Sequence, residues 1–421
     1  MHVELLCTGD ELVTGLTTDT NSPYLEARLF EPGIKVARVV LVGDVREDIT
    51  RALREAAARA EAVIVSGGLG PTADDFTAEC AAAAAGVPLV EDARVLEFLR
   101  ERAVKRGRPL TPNVARMAQV PQGAEVVLNP VGAAPLFIVR MGRCRLFFLP
   151  GVPREFRALV DGEVLPRLRA ELEGRPGRVH RAFRLLRTVG LPESVLDAKV
   201  APLAAAHPQV VFGFRTHAPE NHLKLMAEAP TQAEAEAALA AAEVASREVL
   251  GTAVFGADGD TYTGVLARLL TESRGTLALA ESCTGGLIAQ QLTAVPGASS
   301  FLLGSAVVYT EPMKVAWAGV PAELLARHGA VSRPVAEAMA EGVRAACQST
   351  YGVSVTGYAG PTGGTPEDPV GTIYCALAEH GAPTRCERFV LPGDRDLVRL
   401  FAAFHALELL RERLLSATAT P

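Results

Sequence analysis

The sequence predicts an α/β protein: two three-layer α/β domains, one towards each end, joined by a small α+β domain. Three observations carry that expectation. The chain has 421 residues, more than the ~100–200 that one core usually organises. In both terminal parts, short runs rich in Val, Ile and Leu alternate with helical patterns. Gly- and Pro-containing breaks at residues 171–179 and 256–260 interrupt that alternation. The expected domains are residues 1–172, 178–255 and 258–421, with linkers between them.

In the first domain, strands are expected over residues 3–7, 35–42, 62–66 and 136–139 and helices over 22–30, 49–59 and 77–85, a rhythm that favours a mainly parallel sheet covered by helices. The middle segment reads as a strand (183–189), a helix (193–205), two strands (210–214 and 223–227) and an Ala/Glu-rich helix (231–250). The apolar spacing of that last run marks an ordinary packing helix rather than low-complexity sequence. The third domain opens with a helix (263–272) and a strand (277–280), and further strands are expected at 352–356 and 369–374.

Composition excludes several classes. A share of 49% hydrophobic and 21% charged residues suits folded domains rather than disordered chain. The net charge of −6 offers no basic footprint for a polyanion, so direct nucleic-acid binding is not expected. No apolar run reaches the ~18 residues of a membrane helix. The sequence starts on the strand-like Val3-Glu4-Leu5-Leu6 without a basic leader, so the expected location is cytoplasmic, without membrane association. Seven cysteines, odd in number and without Cys-x-x-Cys spacing, suggest neither a disulfide framework nor a zinc site.

In the third domain, the strand at 277–280 runs into Glu281-Ser282-Cys283-Thr284-Gly285-Gly286 and a helical stretch over 287–292. A hydroxyl at a strand-to-helix turn stands above the sheet edge, and the N–H groups that follow can stabilise an oxyanion or hold a phosphate. Ser282 is therefore the candidate nucleophile, with Thr284, Gly285 and Gly286 at the substrate; the bland alternative is that Ser282 only caps the helix. A later strand ends at Tyr309, and Lys314 follows five residues on. A partly desolvated lysine can stay neutral and accept the serine proton, so Ser282, Tyr309 and Lys314 form a sufficient catalytic set. The competing base is His328. The loop Gly357-Tyr358-Ala359-Gly360-Pro361-Thr362-Gly363-Gly364 lets backbone approach a ligand, which points to Gly360, Gly363 and Gly364. Arg395 and Arg399, at the start of the terminal helix, could meet a phosphate, while Asp394 and Asp396 suit the helix dipole.

Three strand-end turns mark a second site in the first domain: Thr8-Gly9-Asp10-Glu11 with Asn21 close behind, Ser66-Gly67-Gly68-Leu69-Gly70 leading to Asp74 and Asp75, and Leu149-Pro150-Gly151 leading to Glu155. Gly-rich turns after parallel strands place donors at the carboxyl edge, where such folds bind ligands. Gly9, Asp10, Glu11, Asn21, Ser66, Gly67, Gly68, Gly70 and Asp75 are the expected nucleotide-site residues. Asp10, Asp74, Asp75 and Glu155 are expected to converge on a divalent cation such as magnesium. Any one of these acids alone reads as a cap or a solvated side chain.

The ordered set Glu281 to Gly286, Tyr309 with Lys314, His328-Gly329-Ala330-Val331-Ser332, the Gly357–Gly364 loop, Pro369-Val370-Gly371-Thr372 and Gly393-Asp394-Arg395 resembles the CinA family over essentially the whole chain. One departure is Tyr358, where the family more often carries an aliphatic residue, which alters the pocket wall. The resemblance implies a C-terminal nicotinamide-nucleotide amidase that converts nicotinamide mononucleotide to nicotinate mononucleotide and ammonia without a cofactor, with Ser282 as nucleophile and Tyr309 and Lys314 as its activating pair. It also implies an N-terminal molybdopterin-binding-like fold, with metal-dependent hydrolysis of ADP-ribose, and a homo-oligomer, a dimer. The alternatives are a non-catalytic nucleotide-sensing adaptor, or binding of a pterin or molybdenum cofactor by the first domain.

Overall fold

The computed structural model describes residues 1–30, 33–173 and 179–418, so residues 174–178 of the expected first linker lie outside the described residues. The chain forms two compact units, one made of Met1–Phe183 with Ala227–Ala238, the other of Arg184–Met226 with Leu239–Pro421.

The first unit is built on strands β1 (Val3–Thr8), β2 (Val36–Val42), β3 (Ala62–Ser66), β6 (Glu125–Val127), β7 (Leu136–Met141) and β8 (Cys144–Leu149), with a separate short pair, β4 (Leu89–Glu91) and β5 (Gln119–Pro121). The six-stranded sheet has the order β2-β1-β3-β8-β7-β6; its first four strands are parallel and β7 and β6 return antiparallel. Strand β3 is buried along its whole length, as an unbroken apolar run in a sheet covered on both faces should be. On one face Leu25 and Leu29 of helix α1 (Asn21–Phe30) pack with Phe156 and Leu159 against Val3, Leu5 and Ile64. On the other, Ile49 and Leu53 of α2 (Arg46–Arg59) and Cys80 and Ala81 of α3 (Thr77–Ala85) pack against Leu6, Val63 and Val65.

Strands β9 (His180–Thr188), β10 (Val210–His217), β11 (Glu220–Ala229) and β12 (Val254–Ala257) form a four-stranded sheet of order β10-β11-β9-β12, accompanied by helices α4 (Glu193–Ala206) and α5 (Gln232–Leu250).

The second unit carries a five-stranded sheet of order β14-β13-β15-β16-β17, from β13 (Leu277–Glu281), β14 (Leu302–Val307), β15 (Tyr351–Gly357), β16 (Thr372–Glu379) and β17 (Arg385–Val390). The first three are parallel, the last two antiparallel. Leu277 and Leu279 face helices α6 (Tyr262–Glu272) and α7 (Leu287–Thr293), while Ala278 and Ala280 face α8 (Glu311–Ala318), α9 (Ala322–His328) and α10 (Arg333–Cys347). The terminal helix α11 (Arg395–Thr418) covers the first of these faces. The strand expected at 369–374 instead starts at Thr372: Gly371, at φ 95°, accepts the Leu391 N–H at 2.9 Å, and the chain turns there before pairing begins.

Candidate active site

The parallel strands β14, β13 and β15 end at one edge of their sheet, where β16 begins and β17 ends, so the C-terminal sequence motifs all arrive at that edge. Strand β13 delivers Ser282, which is buried and whose N–H donates to the Val355 carbonyl at 2.9 Å. Gly286, not Ser282, is the N-cap of α7, so the plain capping role does not apply to Ser282.

Lys314 comes from α8, which the sequence reading did not anticipate. Pro312 sits in its first turn, where a missing N–H costs nothing, and helical side chains lean towards the N-terminus, here the sheet edge. Lys314 is 1% exposed; its Nζ lies 2.7 Å from Ser282 Oγ and 2.7 Å from the Val308 carbonyl oxygen. Burial pushes its pKa down from 10.5 to about 8, against the opposing pull of Cys283 and Glu311. The neighbouring Cys283 thiol is pushed up to about 12 by burial, which leaves the serine as the nucleophile of the turn. His328 is exposed at the end of α9, and the hydrogen bond to Ser282 belongs to Lys314.

Tyr309 departs from expectation. It is 55% exposed, and its hydroxyl accepts a hydrogen bond from Arg395 Nη2 at 2.9 Å rather than engaging Ser282 or Lys314. Arg395 also donates to the Gly360 carbonyl at 2.5 Å, and Arg399 to the Thr284 carbonyl at 2.9 Å, so both arginines gather loops at the edge. Gly285 and Gly286 are not free donors: their N–H groups go to the Ser282 carbonyl at 3.1 Å and to Glu281 Oε2 at 2.9 Å. Thr284 is fully buried, its hydroxyl on Glu281. Gly363 and Gly364 have positive φ; a Cβ on Gly364 would meet the Val370 nitrogen at 2.8 Å and one on Gly363 the Tyr358 ring at 3.2 Å. Loop packing alone therefore requires both glycines. Glu281, missed by the sequence reading, is fully buried and takes the Thr284 hydroxyl and the Gly286 N–H although it precedes the nucleophile; a buried acid ending an apolar strand was the available signal.

In the first unit a cavity of about 720 Å³ opens among the three expected turns. Gly9, Glu11, Asn21, Ser66, Gly67, Gly68, Gly70 and Asp75 line it, together with Asp74 and Glu155. Asn21 Nδ2 donates to Ser66 Oγ at 3.0 Å and to the Gly151 carbonyl at 2.8 Å, tying the second and third turns. Gly68, at φ 65°, leaves no room for a side chain, since a Cβ would stand 2.0 Å from Thr77 Oγ1.

The expected four-carboxylate cation cluster is not formed. Among the described residues, no three His, Cys, Asp or Glu side chains are grouped to hold a metal ion. The acids are used locally. Asp10 does not line the cavity but exchanges backbone–carboxylate hydrogen bonds of 2.9 Å with Asp44; Asp75 accepts from the Thr72 N–H at 2.9 Å; Glu155 accepts from Asn129 at 2.7 Å; Asp74 is exposed. Asp44, also overlooked, lines the cavity, and burial followed by the charges of Asp10, Glu11 and Asp74 raises its carboxyl above the usual range. No helix among the described residues is long and apolar enough to cross a membrane.

Comparison with known proteins gives three family matches in order: a probable molybdopterin binding domain over residues 4–170, the damage-inducible protein CinA KH domain over 183–256 and the CinA C-terminal domain over 260–414. A CinA-like protein of Myxococcus xanthus (strain DK1622) is 69% identical over 421 residues, all of both chains, and one of Anaeromyxobacter sp. (strain Fw109-5) is 49% identical over 98% of each. Among solved structures, the protein CinA of Thermoplasma acidophilum is 34% identical, covering 40% of this chain and 97% of its own at a TM-score of 0.37. The competence damage-inducible protein A of Klebsiella pneumoniae is 35% identical, covering 36% and 94% at 0.35. With relatives this similar along its entire length, and with the three domain families matched in sequence order, the chain belongs to the CinA family.

Proposed function

We propose that the C-terminal domain is a serine amidase that hydrolyses nicotinamide mononucleotide to nicotinate mononucleotide and ammonia. The observation that carries this reading is the buried contact of 2.7 Å between Lys314 Nζ and Ser282 Oγ, made by a lysine whose pKa is lowered to about 8. Neutral Lys314 takes the Oγ proton as Oγ attacks the amide carbon. The lysine ammonium then protonates the leaving nitrogen, the C–N bond breaks and ammonia departs, leaving an ester on Ser282. Water, deprotonated by Lys314, attacks that ester; Oγ recovers its proton and the carboxylate product leaves. The choice of a nicotinamide nucleotide rests on family membership, and Arg395 and Arg399, at the same edge, are the proposed phosphate partners.

For the N-terminal cavity the proposal is hydrolysis of a nucleotide pyrophosphate, ADP-ribose, with a divalent cation, magnesium. The donor set fits a cation that arrives with its ligand: magnesium is usually held by one or two carboxylates plus substrate phosphates rather than by a complete protein cage. Asp44 and Asp74 would hold it, and the group would polarise a phosphoryl oxygen. A pterin ligand is the second reading, favoured by the domain family matched over residues 4–170.

The test is to incubate the full chain with nicotinamide mononucleotide and follow ammonia and the nucleotide products by chromatography. Turnover that disappears in Ser282→Ala is expected. No turnover by a folded chain would leave the nucleotide-sensing adaptor as the reading, and near-normal turnover by Ser282→Ala would end the covalent route.

A further inference from the structure

Five donors converge on the buried carboxylate of Glu281, which has no part in the proton transfers above. Its Oε2 accepts from Thr284 Oγ1 at 2.8 Å, the Gly286 N–H at 2.9 Å and the Ile288 N–H at 3.1 Å; its Oε1 accepts from the Ala289 N–H at 2.9 Å and Ser305 Oγ at 3.3 Å. Its own carbonyl accepts the Val308 N–H at 2.8 Å, and the Val308 carbonyl in turn accepts from Lys314. One residue thus touches both the turn that carries the nucleophile and the strand end that seats its base.

The N–H groups that follow Ser282 can be accounted for one by one. Gly285 donates to the Ser282 carbonyl, Leu287 to the Thr284 carbonyl, and Gly286, Ile288 and Ala289 to Glu281. Among the described residues, the two taken neither by a backbone carbonyl nor by Glu281 are those of Cys283 and Thr284, the pair directly after the nucleophile, and both face the Cys283 sulfur. Donors at that place are the ones that meet the charge developing on a carbonyl oxygen attacked by the serine.

We propose that Glu281 is the positioning residue of this site: by taking the later N–H groups and the Thr284 hydroxyl, it fixes the turn so that the Cys283 and Thr284 N–H groups act as the oxyanion donors. The inference rests on the amidase reading for its substrate. A carboxylate is suited to the role because it only accepts. In Glu281→Gln, an NH₂ group would face donors in a fully buried place, and at least one of the five partners would lose its acceptor.

The experiment compares wild type, Glu281→Gln and Glu281→Asp in the full chain, each normalised to the amount of Ser282 that a fluorophosphonate labels to completion. Three readings are taken: kcat for nicotinamide mononucleotide, the rate of fluorophosphonate labelling by intact mass, and the affinity for nicotinate mononucleotide. Glu281→Gln is expected to lower kcat and the labelling rate together, on the order of 10²- to 10³-fold, with product affinity held within about threefold and the limb near pH 8 unmoved. Glu281→Asp, which keeps the charge but shortens its reach, decides the matter if Gln prevents folding; a loss of about tenfold or more is expected. Labelling and turnover near wild type in either folded variant overturn the inference, as does a fall in product affinity equal to the fall in kcat. A wild-type chain inert towards nicotinamide mononucleotide sinks the amidase reading alone, because the labelling rates still report what Glu281 does for Ser282.

Discussion

Replacing Lys314 by methionine should change how stability depends on pH, whatever it does to activity. The lysine titrates at about 8 in the folded chain and has an ordinary value of 10.5. Between those values the unfolded chain binds more protons than the folded one, so wild-type stability rises with pH across the interval. The gap corresponds to about 3 kcal/mol of destabilisation at pH 7 and to less than about 1 kcal/mol at pH 10. The hydrogen bonds to Ser282 Oγ and the Val308 carbonyl, about 1 kcal/mol each, are lost in the variant at both pH values and cancel in the comparison. Relative to wild type, Lys314→Met should therefore become less stable by roughly 2–3 kcal/mol on going from pH 7 to pH 10. Urea unfolding followed by Trp317 fluorescence is the assay, since this is the chain's one tryptophan and lies on the same helix as Lys314. A wild-type-to-variant difference constant to within about 0.5 kcal/mol across that range would show that Lys314 is not held at a depressed pKa, and the neutral-base argument would fall with it.

The same value sets the rate profile: kcat/KM should rise about tenfold per pH unit below about 8 and level off above it, because the base must be neutral. A limb near ~6–7, abolished by His328→Ala, would move the base to histidine. Lys314→Ala and Ser282→Ala should each cost several orders of magnitude, with the double variant little worse than either; additive losses would show that they do not act as a unit. Tyr309→Phe should cost no more than about tenfold, mainly in KM, since one partly exposed hydrogen bond to Arg395 is removed; a larger fall in kcat would return the tyrosine to proton transfer. Dialysis against a chelator should spare ammonia release and suppress ADP-ribose hydrolysis, with magnesium restoring the latter; loss of ammonia release would count against a serine–lysine mechanism.

The sheet order of each domain was only partly legible. Strands β1, β3 and β13 are buried on both faces and read directly as apolar runs, whereas β8, with Arg145 near its start, and β17, with Arg385, Glu387 and Arg388, carry weaker patterns. Helices α8 to α10 went unread because Pro312 and Pro334 punctuate the sequence where the helices begin, and a proline in the first turn looks like a break until its position is known. Residue type and spacing put Ser282 and Lys314 forward beside the capping role and His328, and the resemblance to the CinA family is what singled them out. Their burial was not readable, because it depends on α8 packing against a sheet edge whose strands lie far apart in sequence.

The acids show the limit most clearly. Sequence spacing placed Asp10, Asp74, Asp75 and Glu155 near one edge, and three of them do line the cavity, but spacing says nothing about which N–H or amide each carboxylate meets first. Asp75 finds a backbone donor within its own loop, Asp10 and Glu155 meet donors from other segments at Asp44 and Asn129, and each such bond competes with a shared cation. Glu281 follows the same physics with the opposite outcome for function. It too is consumed by nearby donors, but four of the five come from the turn and helix start that follow Ser282, so their capture leaves the Cys283 and Thr284 N–H groups as the remaining donors of that turn. A carboxylate near a catalytic serine therefore need not touch the substrate to matter. What decides is which donors it removes from the turn, and the bonds of Glu281 account for every later N–H through Ala289 that a backbone carbonyl does not already hold.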